Sequence, residues 1–244
     1  MDSASAGISV GLLPARGGSK RIPRKNIKPF HGQPLIARTV ATMLASGVFD
    51  RIIVSTDDAE IADVAVAAGA EVPFLRTPDL ADDVTGTGAV VRDALARLEA
   101  DPRHAPGAPE AIGALCLVYP AAVFVTATDL ADAHGQLIAS GRQYVMSAST
   151  YPAPIERALR RDTSGAVSMV DPARLLTPSQ QLEPAFHDVG QFYWGRRDAW
   201  AAGVPVMRGD TEIFEIPHWR VQDIDTPDDW TRAEILFEII ERIG

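Results

Sequence analysis

The feature that most constrains this chain is an alternation. Short, nearly unbroken apolar runs are each followed by a longer run with apolar residues at helical spacing. Ile8–Leu13 comes first, bounded by turn residues, and reads as a buried strand. Pro34–Ser46 then sets Leu35, Ile36, Val40, Met43 and Leu44 on one helical stripe. Strands over Arg51–Ser55, Glu71–Leu75 and Ala114–Tyr119 and helices over Asp58–Ala68, Gly88–Leu98 and Ala127–Ser140 continue the pattern. Such a chain is α/β: a mostly parallel sheet with helices on both faces and right-handed crossovers. In that architecture ligands bind at the carboxyl ends of the strands.

Beyond residue 140 the pattern loosens. Tyr144–Thr150 and Gln191–Trp194 read as strands, with Pro152, Pro154, Pro172, Pro178 and Pro184 between them. That stretch is too long for an idle loop in a compact domain. It is expected to be a lid or interface arm, within about 140–190 of a single domain spanning 1–244. Asp101–Pro109 reads as a surface loop, and Pro227–Ile243 as a closing helix.

Charge and composition narrow the ligand. The net charge is −9, which argues against general binding to nucleic acid or to anionic membranes. No apolar run approaches the roughly 20 residues of a membrane-spanning helix. Met1–Gly7 lacks the basic start and apolar stretch of a secretory signal. The one cysteine, Cys116, allows no intrachain disulfide, so a cytoplasmic setting is expected. Against the acidic background, Arg16, Lys20, Arg21, Arg24, Lys25 and Lys28 fall within thirteen positions with no acid among them. A cationic cluster on an acidic chain suggests a small polyanionic ligand; the alternative is a solvated basic face.

The cluster lies in LPARGGSKRIPRKN, directly after the first strand. Gly17 and Gly18 let backbone N–H groups approach an anion, and Ser19 follows them. Arg16 offers a planar fork and Lys20 a point charge. Asn26 carries both amide donors and an acceptor, which suits a base edge or a ribose. The glycine spacing fits neither a Walker A loop nor a dinucleotide fingerprint. On the residues alone the segment is either a phosphate cradle or a basic turn.

A second constellation is VQDIDTPDD. In an extended segment Asp223 and Asp225 face the same side, where they repel unless a cation or proton intervenes. A hard divalent ion such as Mg²⁺ would suit them, with triphosphate oxygens completing its shell. Thr226, Pro227 and Asp229 instead have the spacing of a helix cap, which leaves Asp223 and Asp225 unexplained by capping. Asp58, in VSTDD, reads as a cap for the following helix. Arg76 either reaches a ligand at the same sheet edge or pairs with Asp79. Thr85 and Thr87 are ligand contacts or caps. In FHDVGQFYWG the aromatics read as core, while His187, Asp188 and Gln191 are candidates for a polar sugar pocket.

These residues resemble a known family. LLPARGGSKRIPRKNI is similar to the phosphate-binding motif of the CMP-acylneuraminate synthetases, and VSTDD, FLRTPDLADDVTGT and QDIDTPDDW follow in the family's order. The match runs from about Ile8 into the closing helix. FHDVGQFYWG and YPAPIERAL resemble the branch that acts on pseudaminic acid rather than the N-acetylneuraminate branch. The resemblance implies a Rossmann-like nucleotidyltransferase fold and a homodimer whose arms reach into the partner's site. It implies CTP and a nine-carbon acidic sugar as substrates, with Mg²⁺ on Asp223 and Asp225. Arg16 and Lys20 would bind the triphosphate and Asp225 would serve catalysis. Asn26 and Arg76 would hold the cytidine, and Gln191 with its neighbours would face the sugar. N-acetylneuraminate and legionaminate are the alternative acceptors. An inactive nucleotide-binding protein of the same fold is the alternative of another kind. One segment departs: where the branch usually has Tyr-Ala-Thr-Ala-Pro-Phe, this chain has Tyr119-Pro120-Ala121-Ala122-Val123-Phe124. Tyr119 opens that segment, near the expected sugar site, so the departure bears on the acceptor.

Overall fold

The computed structural model describes residues 7–82, 85–208 and 210–243. The first strand, β1 (Ile8–Pro14), is followed by the paired short strands β2 (Pro29–Phe30) and β3 (Gln33–Pro34) and by helix α1 (Leu35–Ser46). Then come β4 (Arg51–Ser55), α2 (Ala59–Ala67), α3 (Thr87–Glu99), β5 (Ile112–Val118), α4 (Ala127–Ser140) and β6 (Tyr144–Thr150). The hairpin β7 (Leu159–Arg161) and β8 (Val167–Met169) precedes β9 (Phe186–Arg196), α5 (Arg197–Ala201), β10 (Thr211–Glu215) and α6 (Pro227–Ile243). No helix among the described residues is long and apolar enough to cross a membrane.

The main sheet has the order β10-β6-β9-β5-β1-β4. All its pairs are parallel except those made by β9, which runs against both β5 and β6. The expected α/β fold with a mostly parallel sheet is therefore present. The reversal of β9 matters for function. A strand running backwards starts where its neighbours end, so Phe186–Gln191 reaches the edge where β1 and β5 finish. Tyr119 N donates to Gln191 O at 2.9 Å across that edge.

Side-chain alternation along the strands builds a core on each face. Val10, Leu12, Leu115 and Leu117 pack with Leu95, Leu98 and Trp200 of α3 and α5. Leu13, Val54, Cys116 and Val118 pack with Ile36, Val40, Leu130 and Leu137 of α1 and α4. A third cluster seats α6, where Trp230 and Ala233 meet Phe30, Leu35 and Ile224. Full burial of a large apolar side chain contributes roughly 1.5–3 kcal/mol, so this cluster fixes the approach to α6 firmly. It thereby brings the 223–225 segment against the loop after β1.

Several elements differ from expectation. Glu71–Leu75 is not a strand; it makes isolated parallel bridges, Ile53 with Glu71 and Thr56 with Leu75. Pro73 stands between them and has no N–H for a ladder. The 223–225 segment is irregular rather than strand, yet Ile224 is buried and both neighbouring aspartates face one cavity. The stretch between β6 and β9 holds the β7–β8 hairpin and leaves Leu159, Val167, Leu175 and Leu176 exposed.

Candidate active site

The carboxyl end of β1 opens into a cavity of about 460 Å³. Arg16, Ser19, Lys20, Arg21 and Lys25 line one wall, and Gln222, Asp223 and Asp225 contribute another. Arg76, Asp82, Thr85 and Thr87 come from the segment after β4, and Tyr119, Gln191 and Tyr193 from β5 and β9.

The loop after β1 is held by local bonds. Ala15 N donates to Ser55 O at 2.9 Å and Gly17 N to Asp57 Oδ1 at 2.9 Å. A Cβ on Gly17 would lie 2.7 Å from Asp58 Oδ2, so the close approach requires glycine there. Gly18 has open space around it. Neither glycine's side lines the cavity; they shape the loop that carries Arg16, Ser19 and Lys20 to it. Arg16 Nη1 donates to Asp82 O at 2.9 Å. Asn26 is buried and spends one amide donor on Arg16 O at 3.0 Å, so it fixes the loop from within while facing the cavity.

Arg24 leaves the cavity altogether. Its guanidinium pairs with Asp58 and, at 2.5 Å, with Glu60. Asp58 also accepts from Ile61 N at 3.0 Å, so the reading of Asp58 as the cap of α2 holds. The hydrogen-bonding Arg24 side chain depresses the Asp58 carboxyl to about 2.

Arg76 is buried below the cavity and donates to Ser55 Oγ at 3.1 Å and Ser55 O at 2.5 Å. It does not pair with Asp79. Burial lowers its affinity for the proton, yet the nearby Asp57 charge opposes that shift. Thr85 closes a turn, with its N–H donating to Asp82 Oδ1 at 2.6 Å. Neither Thr85 nor Thr87 caps α3, whose cap position is Gly86.

Asp223 and Asp225 converge on the cavity, as their spacing implied. Arg21 Nη2 reaches Asp225 Oδ2 at 2.6 Å. Asp223 is exposed toward the cavity, but the protein crowded around it, and then the charge of Asp225, raise its carboxyl above the ordinary range. The cap of α6 is also as read: Asp229 N donates to Thr226 Oγ1 at 3.2 Å, and Thr226 N to Asp229 Oδ2 at 2.8 Å.

On the opposite wall Gln191 is 3% exposed. Its Nε2 donates to Arg220 O at 3.3 Å, while its Oε1 is buried without a partner among the described residues. That orphan acceptor is oriented by the backbone carbonyl that claims the amide's other end. Tyr119, beside it, stays a phenol because burial raises it. The altered Tyr119–Phe124 segment is well seated: Thr39 Oγ1 donates to Pro120 O at 2.8 Å, and Phe124 joins the third cluster.

Besides Gly17 and Gly18, which shape the loop rather than line the cavity, the fold sends His187 elsewhere. Its ring packs 5.0 Å from that of Tyr151, and it does not line the cavity. His187 and Gln191 are four residues apart and would share a face if β9 were regular. It is not: the register with β6 shifts between Met146 and Ala148. Asp188, a polar candidate in the same motif, does line the cavity, and sequence reasoning passed over Lys25 and Tyr193 as site residues. Lys25 was visible as part of the basic run, and Tyr193 as a hydroxyl-bearing member of FHDVGQFYWG.

Residues 10–147 match the family model described as Cytidylyltransferase. The chain is 36% identical over 228 residues to the pseudaminic acid cytidylyltransferase of Campylobacter jejuni subsp. jejuni serotype O:23/36, covering 93% of this chain and 95% of that protein. It is 47% identical to the CMP-N,N'-diacetyllegionaminic acid synthase of Legionella pneumophila subsp. pneumophila, over 90 residues only, which is 37% of this chain and 39% of that one. Among solved structures, a CMP:2-keto-3-deoxy-manno-octonic acid synthetase complexed with CTP shares the fold. Its TM-score is 0.69 at 14% identity, covering 95% of this chain and 99% of that one.

Proposed function

The chain belongs to the cytidylyltransferase family, and from that premise we propose that it transfers CMP from CTP to pseudaminic acid and releases pyrophosphate. The observation that carries this reading is one cavity in which a glycine-shaped cationic loop faces two convergent carboxylates. The acceptor is supported by extent of similarity: the pseudaminate relative matches along the chain, whereas the legionaminate relative matches 90 residues.

In this reading the anomeric oxygen of the sugar forms a bond to the α-phosphorus of CTP as the bond to the bridging oxygen breaks. Catalysis of this kind rests on positioning and charge stabilisation. Arg16 and Lys20 stabilise the departing pyrophosphate. Asn26 and Arg76 hold the loop and strand end that receive the cytidine. Asp223, or a water held by Asp225, takes the proton of the anomeric hydroxyl. Gln191 Oε1 accepts a hydrogen bond from the sugar.

The donor set fits Mg²⁺. Among the described residues no group of three or more His, Cys, Asp or Glu side chains gathers as a metal site. Two carboxylates sharing an ion with triphosphate oxygens is the arrangement that Mg²⁺ favours. Asp223 and Asp225 would hold it, and its chemistry is to neutralise charge on the triphosphate. The exposed apolar arm, with Leu176 90% accessible, supports a homodimer. The single cysteine, Cys116, free and buried, supports a cytoplasmic setting.

The test is pyrophosphate release from CTP and Mg²⁺ with pseudaminate, N-acetylneuraminate and legionaminate offered in parallel. Release with pseudaminate alone supports the whole reading. Release with another sugar keeps the chemistry and moves the acceptor. CTP binding with no release from any sugar would indicate a nucleotide-binding protein without turnover.

A further inference from the structure

A cavity of about 460 Å³ lies near the lower end of the range that one ligand of drug size fills, roughly 300–1,000 Å³. The proposed reaction needs two such ligands at once. A second cavity, also of about 460 Å³, adjoins the first and shares Thr87, Tyr119, Asp188 and Tyr193 with it. The shared wall is built of hydroxyls: Tyr119 Oη lies 3.4 Å from Thr87 Oγ1, and Tyr193 Oη donates to Asp188 at 2.7 Å.

The two rooms differ in chemistry. The first is lined with cations and carboxylates. The second has Trp200, Val204, Val206 and Met207 on its walls and one cation, Arg92 of α3. The turn after α5 makes space for that guanidinium. Gly203 has φ +67°, and a Cβ there would come 3.1 Å from Arg92 Nη1. No carboxylate among the described residues forms an ion pair with Arg92. A donor fork at the rim of an apolar room suits a ligand that carries carbonyl oxygens beside methyl groups.

Resting on the cytidylyltransferase reading above, we infer that this second cavity receives the far end of the acceptor, the N-acyl groups and terminal methyl of a deoxy nonulosonic acid. Arg92 donates to an acyl carbonyl, and Val206 and Met207 cover the methyls. The carboxylate and anomeric hydroxyl remain in the first cavity beside the triphosphate. A sugar ending in a hydroxylated glycerol chain would set its hydroxyls against the apolar wall, a mismatch that limits such a substrate by up to about 100-fold.

The experiment is steady-state kinetics of Arg92→Leu and Met207→Gln with pseudaminate and with CTP as the varied substrate. Both positions are exposed, so the variants should fold, and melting temperature checks this. The expected result is a rise in KM for the sugar of about tenfold or more, with KM for CTP within about twofold of the parent. Sugar KM unchanged in both variants, or an equal rise in KM for CTP, overturns the subsite. Should Arg92→Leu lose stability, Met207→Gln decides. A parent enzyme silent with every nonulosonic acid defeats the functional reading and the subsite together; an active parent with unaltered variants defeats the subsite alone.

Discussion

Lys25 Nζ lies 3.3 Å from Asp225 Oδ1 and 2.7 Å from the carbonyl oxygen of Ile224, joining segments 200 residues apart in sequence. The loop after β1 and the approach to α6 are thus one unit. Asp225 is also the partner of Arg21; Arg21 is exposed and Asp225 and Lys25 are partly so, and these pairs contribute at most about 1 kcal/mol each. The carboxylate's larger effect is on chemistry. Asp225→Asn is expected to lower turnover by a factor on the order of 10²–10³ and to shift unfolding free energy by no more than about 2 kcal/mol. Pyrophosphate release and thermal unfolding of the same preparation read both. Turnover near the parent's would remove Asp225 from the catalytic set.

Gly17 and Gly18 are adjacent and chemically identical, yet only one is crowded. A methyl on Gly17 meets Asp58, which cannot yield easily because it caps α2 and holds Arg24. A methyl on Gly18 meets nothing within 4 Å. Gly17→Ala should therefore displace the loop and raise KM for CTP by about tenfold or more, whereas Gly18→Ala should stay within about threefold. Isothermal titration with CTP makes the comparison directly. Equal losses at both positions would mean that the loop is not held in the way described.

Much of this architecture is legible in the sequence because it follows from periodicity. Arg51–Ser55, Ala127–Ser140, Tyr144–Thr150 and Pro227–Ile243 match their elements residue for residue. What escaped is set by long-range geometry. β10, with glutamates at Glu212 and Glu215, has no apolar run to announce it and becomes a strand only because β6 offers a free edge. The cavity's membership was partly readable for the same reason: glycine, basic and paired-acid motifs name themselves. The direction of β9 and its shift in register do not, and with them went the outward turn of His187 and the inward turn of Tyr193. Asn26 shows a further limit. Its residue type suits a ligand, but only the fold reveals that Arg16 O takes one of its donors.

The Arg24–Asp58 pair makes stability depend on acid. The folded Asp58 carboxyl sits at about 2, below its ordinary 3.8, because Arg24 hydrogen-bonds its charged form. A depressed carboxyl contributes its full stability above the unfolded value and loses it as pH falls through the folded one. The window is therefore about pH 4 down to pH 2. Allowing for solvent around the partly exposed guanidinium, the contribution is about 1 kcal/mol. Asp58→Asn keeps a good capping side chain and removes the charge. Its urea stability should lie below the parent's at pH 7 and converge with it near pH 2. A constant gap across that range would assign the loss to packing rather than to ionisation.

The buried counterpart is Arg220 with Asp129, joined at 2.6 and 3.0 Å. Burial pushes the Asp129 carboxyl up, but Arg220 and the backbone N–H of Thr126 outweigh it and hold it below the ordinary range. The same guanidinium donates to Phe124 O, and the Arg220 carbonyl receives Gln191 Nε2. One ion pair therefore anchors the start of α4, the end of the Tyr119–Phe124 segment and the side chain proposed to face the sugar. Asp129→Ala would leave a buried guanidinium unpaired and α4 without half of its capping box. The expected loss is about 3–5 kcal/mol, a large share of the roughly 5–15 kcal/mol that holds a domain together. Arg220→Lys keeps a charge but not the fork, so it should lose less stability while still loosening Gln191. That variant separates the two roles. A raised KM for the sugar with unchanged KM for CTP, at a melting temperature within a few degrees of the parent's, would place Arg220 as a positioning residue for Gln191. An unchanged sugar KM would confine the pair to holding the fold.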